Sequence, residues 1–245
     1  MQTKPGVFDD LTVAILAFPG AEELDVFGPY EVLWWISTFE GYQPGRPVTQ
    51  TEFQTTFAAH TGTNPHVFTV GPTTTPYQLS AGSTFTPQYS YANAPHANVV
   101  LVPGGHGSWD FDELKANGTF DYVHQIATAP DNQYIMAVCS GSFTLGKLGL
   151  LDGHFCSVNH TLYDHFDALF PKAELVRNAN LSFVQDGKLL TSNAPASGIA
   201  VALQLVQTHC GTGYKDNIKQ LLSYAPATEI VGAVSHAGHL MPASV

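Results

Sequence analysis

The stretch YIMAVCSGSFTLGKLG, from Tyr134 to Gly149, decides the fold. Mostly apolar residues run up to Val138, Cys139 follows, and Ser140, Gly141 and Ser142 give way to a helical pattern. A strand that turns sharply into a helix holds its apex residue in a strained backbone conformation and tolerates only small neighbours. Read this way, Cys139 is the apex of a nucleophile elbow, and the small triplet permits the bend. The apex side chain then stands at the carboxyl edge of a sheet, where open α/β folds bind ligands. The helix that follows points its N-terminus at the sulfur and favours the thiolate. This predicts a thiol pKa below the ordinary value of about 8.5. The bland alternative is an inert core cysteine. That reading suits Cys156 (HFCSV) and Cys210 (QTHCG), which lack the small triplet.

Working outward, the apolar runs LTVAILAF (Leu11 to Phe18) and NVVLVPGG (Asn98 to Gly105) have the same character as YIMAV. Continuous apolar runs bounded by Gly or Pro fit strands of a parallel sheet covered on both faces. Helical patterns alternate with them. PYEVLWWIS reads as a helix opening near Pro29. Gly118 to Thr128, Ser142 to Leu151, the amphipathic HTLYDHFDALFP and the apolar Ser197 to Gly211 follow. The alternation predicts an α/β fold with a flavodoxin-like, doubly wound, mostly parallel sheet flanked by helices. LSFVQDGKLLTS breaks the rhythm and reads as a small β-hairpin turning at Gln185, Asp186 and Gly187. A single domain over 8–225 is expected, with 226–245 as a C-terminal extension of weak periodicity. Residues 38–65 read as a long Gly/Pro/Thr/Gln-rich excursion, and 73–95 as a cover over one end of the sheet.

The 245 residues carry nine Lys plus Arg against twenty Asp plus Glu, a net charge of −11. That balance argues against nucleic acid or an acidic membrane as partner and leaves a small-molecule substrate. No leader or spanning segment is read in the first residues, and three widely spaced cysteines do not form a disulfide framework. A reduced, cytoplasmic setting is expected. Neither H-E-x-x-H nor a tight Cys/His set occurs, so no metal is expected.

A thiolate attacking a substrate needs N–H donors for the developing charge. VPGGHG supplies a turn whose Gly104 and Gly105 allow close backbone approach, although taken alone it reads as a plain Gly-rich turn. Proton transfer needs an acid or base. GAEELD places Glu22, Glu23 and Asp25 after the first strand, where taken alone they read as acids that cap the helix or lie in solvent. His160 follows the strand-like HFCSVN and reads as a polar or capping histidine unless it meets Cys139.

Taken together, GAEELD, LVPGG, AVCSGS, GLLDGHFCSVNH and LLTSNAPASGIAVALQLV resemble the ThiJ/PfpI superfamily, whose fold is related to class I glutamine amidotransferases. The likeness runs from about Leu11 to Gly211 and is nearest the isocyanide (isonitrile) hydratase branch. The resemblance implies Cys139 as nucleophile and Asp25 as the acid after the first strand. It implies Gly105 and the Ser140 amide as oxyanion donors beside Gly104, and His160 as a histidine near the cysteine. It also implies no cofactor, a homodimer, and a hydro-lyase that turns an organic isocyanide into an N-substituted formamide. Other branches imply a glyoxalase or deglycase acting on small dicarbonyls, a redox-sensing or chaperone-like stress protein, or a biosynthetic lyase or hydrolase on the same scaffold. The DNA-binding extension of related regulators is not read in this chain. Ser140 departs from the commoner Thr, which bears on substrate rather than fold.

Overall fold

A computed structural model describes residues 11–35, 49, 51, 66–224, 231–236 and 238–244. The 38–65 excursion lies, apart from Thr49 and Thr51, outside the described residues. The core strands are β1 (Val13–Leu16), β2 (Val67–Gly71), β3 (Tyr89–Ser90), β4 (Val99–Val102) and β5 (Tyr134–Ala137). They pair in parallel in the spatial order β5-β4-β1-β2-β3. Every residue of β1, β2 and β4 is buried, which is why β1 and β4 read as unbroken apolar runs rather than alternating ones, while β2 interrupts its run with Thr69. The sheet continues past β5 through β7 (Leu189–Ser192), which is parallel to it, and β6 (Phe183–Asp186), which is antiparallel to β7. The expected hairpin is present, with its turn at Gly187 and Lys188, and Gly187 has φ 59°.

Residues 226–245, expected as an extension, add two further strands to the same sheet. β8 (Val231–His236) runs parallel to β6, and β9 (His239–Ser244) pairs antiparallel with β8. Residues 73–95 form a two-residue ladder, Tyr77–Gln78 with Thr84–Phe85, and then supply β3 at the sheet edge.

Helix α1 (Glu23–Trp34) begins six residues earlier than the sequence reading placed it. Pro29 lies inside it rather than at its start. The acidic triplet therefore belongs to the helix entry, and this moves Asp25 from a loop onto the first helical turn. Two short helices after β4, α2 (Phe111–Ala116) and α3 (Thr119–Ala127), are followed by α4 (Gly141–Lys147) at the elbow. α5 (Tyr163–Leu169) follows a 3₁₀ turn, His160–Leu162. α6 (Ser197–Cys210) and α7 (Thr212–Leu221) complete the described helices, and α6 packs on α1.

The chain order reverses at β1, with β2 on one side and β4 on the other. Open α/β sheets bind ligands outside the strand ends at such a switch point. The segments after β1, β4 and β5 converge there. No described helix is long and apolar enough to cross a membrane.

Candidate active site

Cys139 follows β5 with φ 55°, a left-handed conformation that side chains other than glycine adopt at a cost of about 1–3 kcal/mol. The bend is held from behind. The Cys139 amide donates to the Ser192 carbonyl and the Gly141 amide to that of Val138. A Cβ on Gly141 would sit 2.3 Å from the Val102 carbonyl oxygen, so the second position after the apex admits glycine alone. Ser142 donates to the Ser157 carbonyl and ties the elbow helix to the next segment.

Asp25 reaches the site from the first turn of α1. Its side chain is fully buried, and Oδ2 accepts the Gly104 amide at 2.7 Å. Oδ1 is buried and meets no hydrogen-bond partner among the described residues. Burial pushes the carboxyl up to about 7, against the pull of the Gly104 bond and with a smaller push from Glu22. Near neutrality Asp25 therefore exists in both protonation states.

The thiol is nine-tenths buried. The expected low pKa does not hold: burial first, and the Asp25 charge second, push Cys139 up to about 11. The elbow helix is present, but its seven residues do not outweigh desolvation and a neighbouring carboxylate. Three donors work the other way. The Asn159 side-chain amide lies 3.4 Å from Sγ, and the amide and hydroxyl of neighbouring Ser140 also pull the thiol pKa down. Asn159 is aimed by Thr161, whose amide and hydroxyl donate to Oδ1 at 3.1 and 2.7 Å. With its oxygen taken, the NH₂ group faces the sulfur.

The predicted residues come together in part. Cys139, Asp25, Gly104, Gly105 and Ser140 form one cluster. Gly104 fits because a Cβ there would meet the Ser140 amide and hydroxyl at 2.6 Å and Asp25 Oδ2 at 2.8 Å. The Gly105 amide donates to Ser140 Oγ at 3.0 Å, so this expected oxyanion donor is engaged by the protein itself. His160 is exposed at the start of its 3₁₀ turn, and the residue before it contacts the thiol instead. Asn159 was missed because a histidine beside it drew the chemical reading. Its own signal was the Asn-x-Thr spacing of a side-chain-capped turn. Ser108, fully buried next to Ser140, was also missed, because the sequence shows only a serine past a glycine turn.

Cys156 is fully buried and its thiol is pushed up to about 12, by burial first and then by Asp167 and Glu174, as suits a core residue. Phe27 and Trp109 are partly exposed, Trp109 packing edge-on against Phe143, while Trp35 is in the core. Among the described residues no three His, Cys, Asp or Glu side chains gather as a metal site.

Known proteins share both sequence and fold with this chain. Isonitrile hydratase of Pseudomonas putida is 28% identical over 219 residues, covering 89% of this chain and 80% of that protein. The HTH-type transcriptional regulator GbdR of Pseudomonas aeruginosa is 28% identical over 146 residues, but the chain spans only 37% of its length. Among solved structures, a ThiJ/PfpI family protein from Pseudomonas syringae superposes with a TM-score of 0.67 at 20% identity, covering 89% of this chain and 77% of that one. DJ-1beta of Drosophila melanogaster gives 0.65 at 20% identity, covering 88% and 99%. Residues 11–208 match the DJ-1/PfpI family, and the chain belongs to that family.

Proposed function

We propose that the protein is a cysteine-dependent hydratase that converts an organic isocyanide, R–N≡C, into the formamide R–NH–CHO. The observation that carries this reading is the pairing of a buried thiol with a buried acid. Asp25 keeps one oxygen without a partner and has a pKa near the working range. The isocyanide carbon must gain a bond to sulfur and a bond to hydrogen in the same place. At neutral pH the site holds a neutral thiol and a carboxyl that can take or give a proton.

Asp25 as carboxylate accepts the Cys139 proton while sulfur bonds the terminal carbon. The same carboxyl then delivers that proton to the carbon, giving the thioimidate Enz–S–CH=N–R. Water adds across C=N, its hydroxyl to carbon and its proton to nitrogen. Collapse forms the C=O bond, breaks C–S and returns the proton to sulfur. The sum is one water added to one isocyanide. Asn159 and Ser140 stabilise negative charge on sulfur at both ends of the cycle.

The similarity to isonitrile hydratase over most of both chains supports this reading. The dicarbonyl reading needs a histidine to move protons beside the thiol. The structure has the non-titrating amide of Asn159 there and His160 exposed to solvent.

The test is formamide production from an aryl and an alkyl isocyanide, followed by mass spectrometry, for the wild type and Cys139→Ala. Turnover that depends on Cys139 is expected. Absence of turnover on isocyanides, with activity on methylglyoxal or on neither, overturns the reading.

A further inference from the structure

The helix that carries the acid of the site begins without a side-chain cap. Glu22 stands at the N-cap position of α1 and makes no cap bond, and Asp25 lies in the first turn beyond it. A helix entry left this way tends to fray. Yet Asp25 has to hold the Gly104 amide at 2.7 Å. A second fixing point is needed, and Glu23 provides it.

The Glu23 side chain reaches out of α1 to the turn 79–83, which closes the small ladder of Tyr77–Gln78 with Thr84–Phe85. Oε2 accepts the Ala81 amide at 2.9 Å. Oε1 accepts the Ser83 hydroxyl at 2.7 Å, the Ser83 amide at 3.2 Å and the Ala81 amide at 3.1 Å. Burial would raise the Glu23 carboxyl, but the Ser83 and Ala81 bonds outweigh it and hold the group below the usual carboxylate range. Bonds to an ionised acceptor are roughly twice as strong as neutral ones. The turn is tied back to the site at two further points. The Ser80 amide donates to the Ala21 carbonyl at 2.8 Å, and the Gly20 amide to the Gln78 carbonyl at 3.0 Å. Ser80 Oγ lies 3.0 Å from Nδ1 of His106, the residue after Gly105. One surface turn thus grips both the entry of α1 and the glycine turn, the two pieces that Asp25 bridges.

We propose that Glu23 is a positioning residue for Asp25: by clamping the first turn of α1 to the turn 79–83, it sets how closely the Asp25 carboxyl holds the Gly104 amide. Residues two apart on a helix do not face each other, so Glu23 works through the backbone that both share. The titratable groups coupled to Asp25 are Glu22 beside it and Cys139 across the site. The charge of Glu23 bears on Glu22 rather than on Asp25. The inference rests on the function proposed above only for what the clamp does to turnover; the Asp25–Gly104 bond is independent of it.

The experiment follows the Gly104 amide resonance of the ¹⁵N-labelled protein across neutral pH. Wild type, Glu23→Ala, Glu23→Gln, Ser83→Ala and the Glu23→Ala/Ser83→Ala double variant are compared. In the wild type this amide is expected to titrate with Asp25, with a midpoint of about 7. Glu23→Ala should lose most of that shift, because the bond that reports on Asp25 is no longer held short. Glu23→Gln keeps the length and an acceptor oxygen and should retain most of it. Ser83→Ala should lose part of it, and should add nothing in the Glu23→Ala background, where the clamp is already open. Isocyanide kcat should fall roughly ten- to hundredfold in Glu23→Ala with KM little changed, the scale of a catalytic group misplaced by about 1 Å. A wild-type Gly104 titration in Glu23→Ala overturns the proposal even if that variant melts earlier, since it marks a contact that serves the fold alone. A flat Gly104 resonance in the wild type, or a Ser83→Ala effect that persists without Glu23, overturns it too. Should Glu23→Ala not fold, Ser83→Ala, which alters an exposed residue, carries the test, and an unchanged Gly104 titration there overturns the proposal. Failure of the wild type to turn over isocyanides bears on the function above and leaves the Gly104 measurement decisive for the clamp.

Discussion

At the scale of single residues the site is set by what each backbone position leaves no room for. Gly104 lies between the Asp25 carboxylate and the Ser140 amide and hydroxyl. A methyl there must displace one of them. Gly104→Ala is therefore expected to fold, with a loss of about 1–3 kcal/mol from overpacking, and to alkylate and turn over poorly. Denaturant melts and Cys139 labelling measured together check this, and a Gly104→Ala protein with wild-type labelling would contradict the described packing. The elbow cysteine itself was legible in sequence, since an apolar strand followed by Ser-Gly-Ser has few other meanings. Its pKa was not, because desolvation and the Asp25 charge come from elements distant in the chain. Limited alkylation should still modify Cys139 ahead of Cys156, whose thiol is fully enclosed. Peptide mapping decides it.

At the scale of elements, the buried strands that are apolar throughout announced themselves, and the one that carries a polar residue did not. β1, β4 and β5 are apolar throughout and were read correctly. β2 is just as buried, but Thr69 in its middle, paired with Gln88, interrupts the apolar run, and it was not read. The start of α1 was placed late because Pro29 was taken for an opening signal, although a helix can carry proline beyond its first turn when packing compensates. The elbow helix α4 is too short to hold itself by backbone bonds alone. Its anchor is Phe143, fully buried, with edge-on contacts to Trp109, Phe166 and Phe170 at 5.5, 5.3 and 5.8 Å. Phe143→Ala is expected to cost about 3–5 kcal/mol and to loosen the turn that holds Cys139 at φ 55°. Thermal melts should show the loss. Phe143→Leu, which keeps most of the apolar volume, should recover the greater part of both stability and labelling rate.

At the scale of the whole molecule, Asp25 links the site to folding. An unfolded aspartate titrates near 3.9, and burial holds the folded one at about 7. The folded state therefore binds more protons than the unfolded state between about pH 4 and pH 7. By linkage the stability falls as pH rises through that window and levels off above it. A lift from near 4 to about 7 corresponds to roughly 4 kcal/mol at 1.36 kcal/mol per pH unit. Asp25→Asn removes the buried charge, keeps an oxygen for the Gly104 amide and puts an NH₂ group where the unpartnered Oδ1 stands. The variant is expected to match wild type in melting temperature near pH 4 and to exceed it at pH 8. It should also alkylate faster at Cys139, since the carboxylate that raises the thiol pKa is gone. Isocyanide turnover should move the opposite way, falling about 10²–10⁴-fold with loss of the proton carrier. A thiol made more reactive and a protein made more stable, both without turnover, separate a catalytic acid from a helix cap. A mere cap would leave activity intact and stability unchanged, because Asn caps a helix nearly as well as Asp.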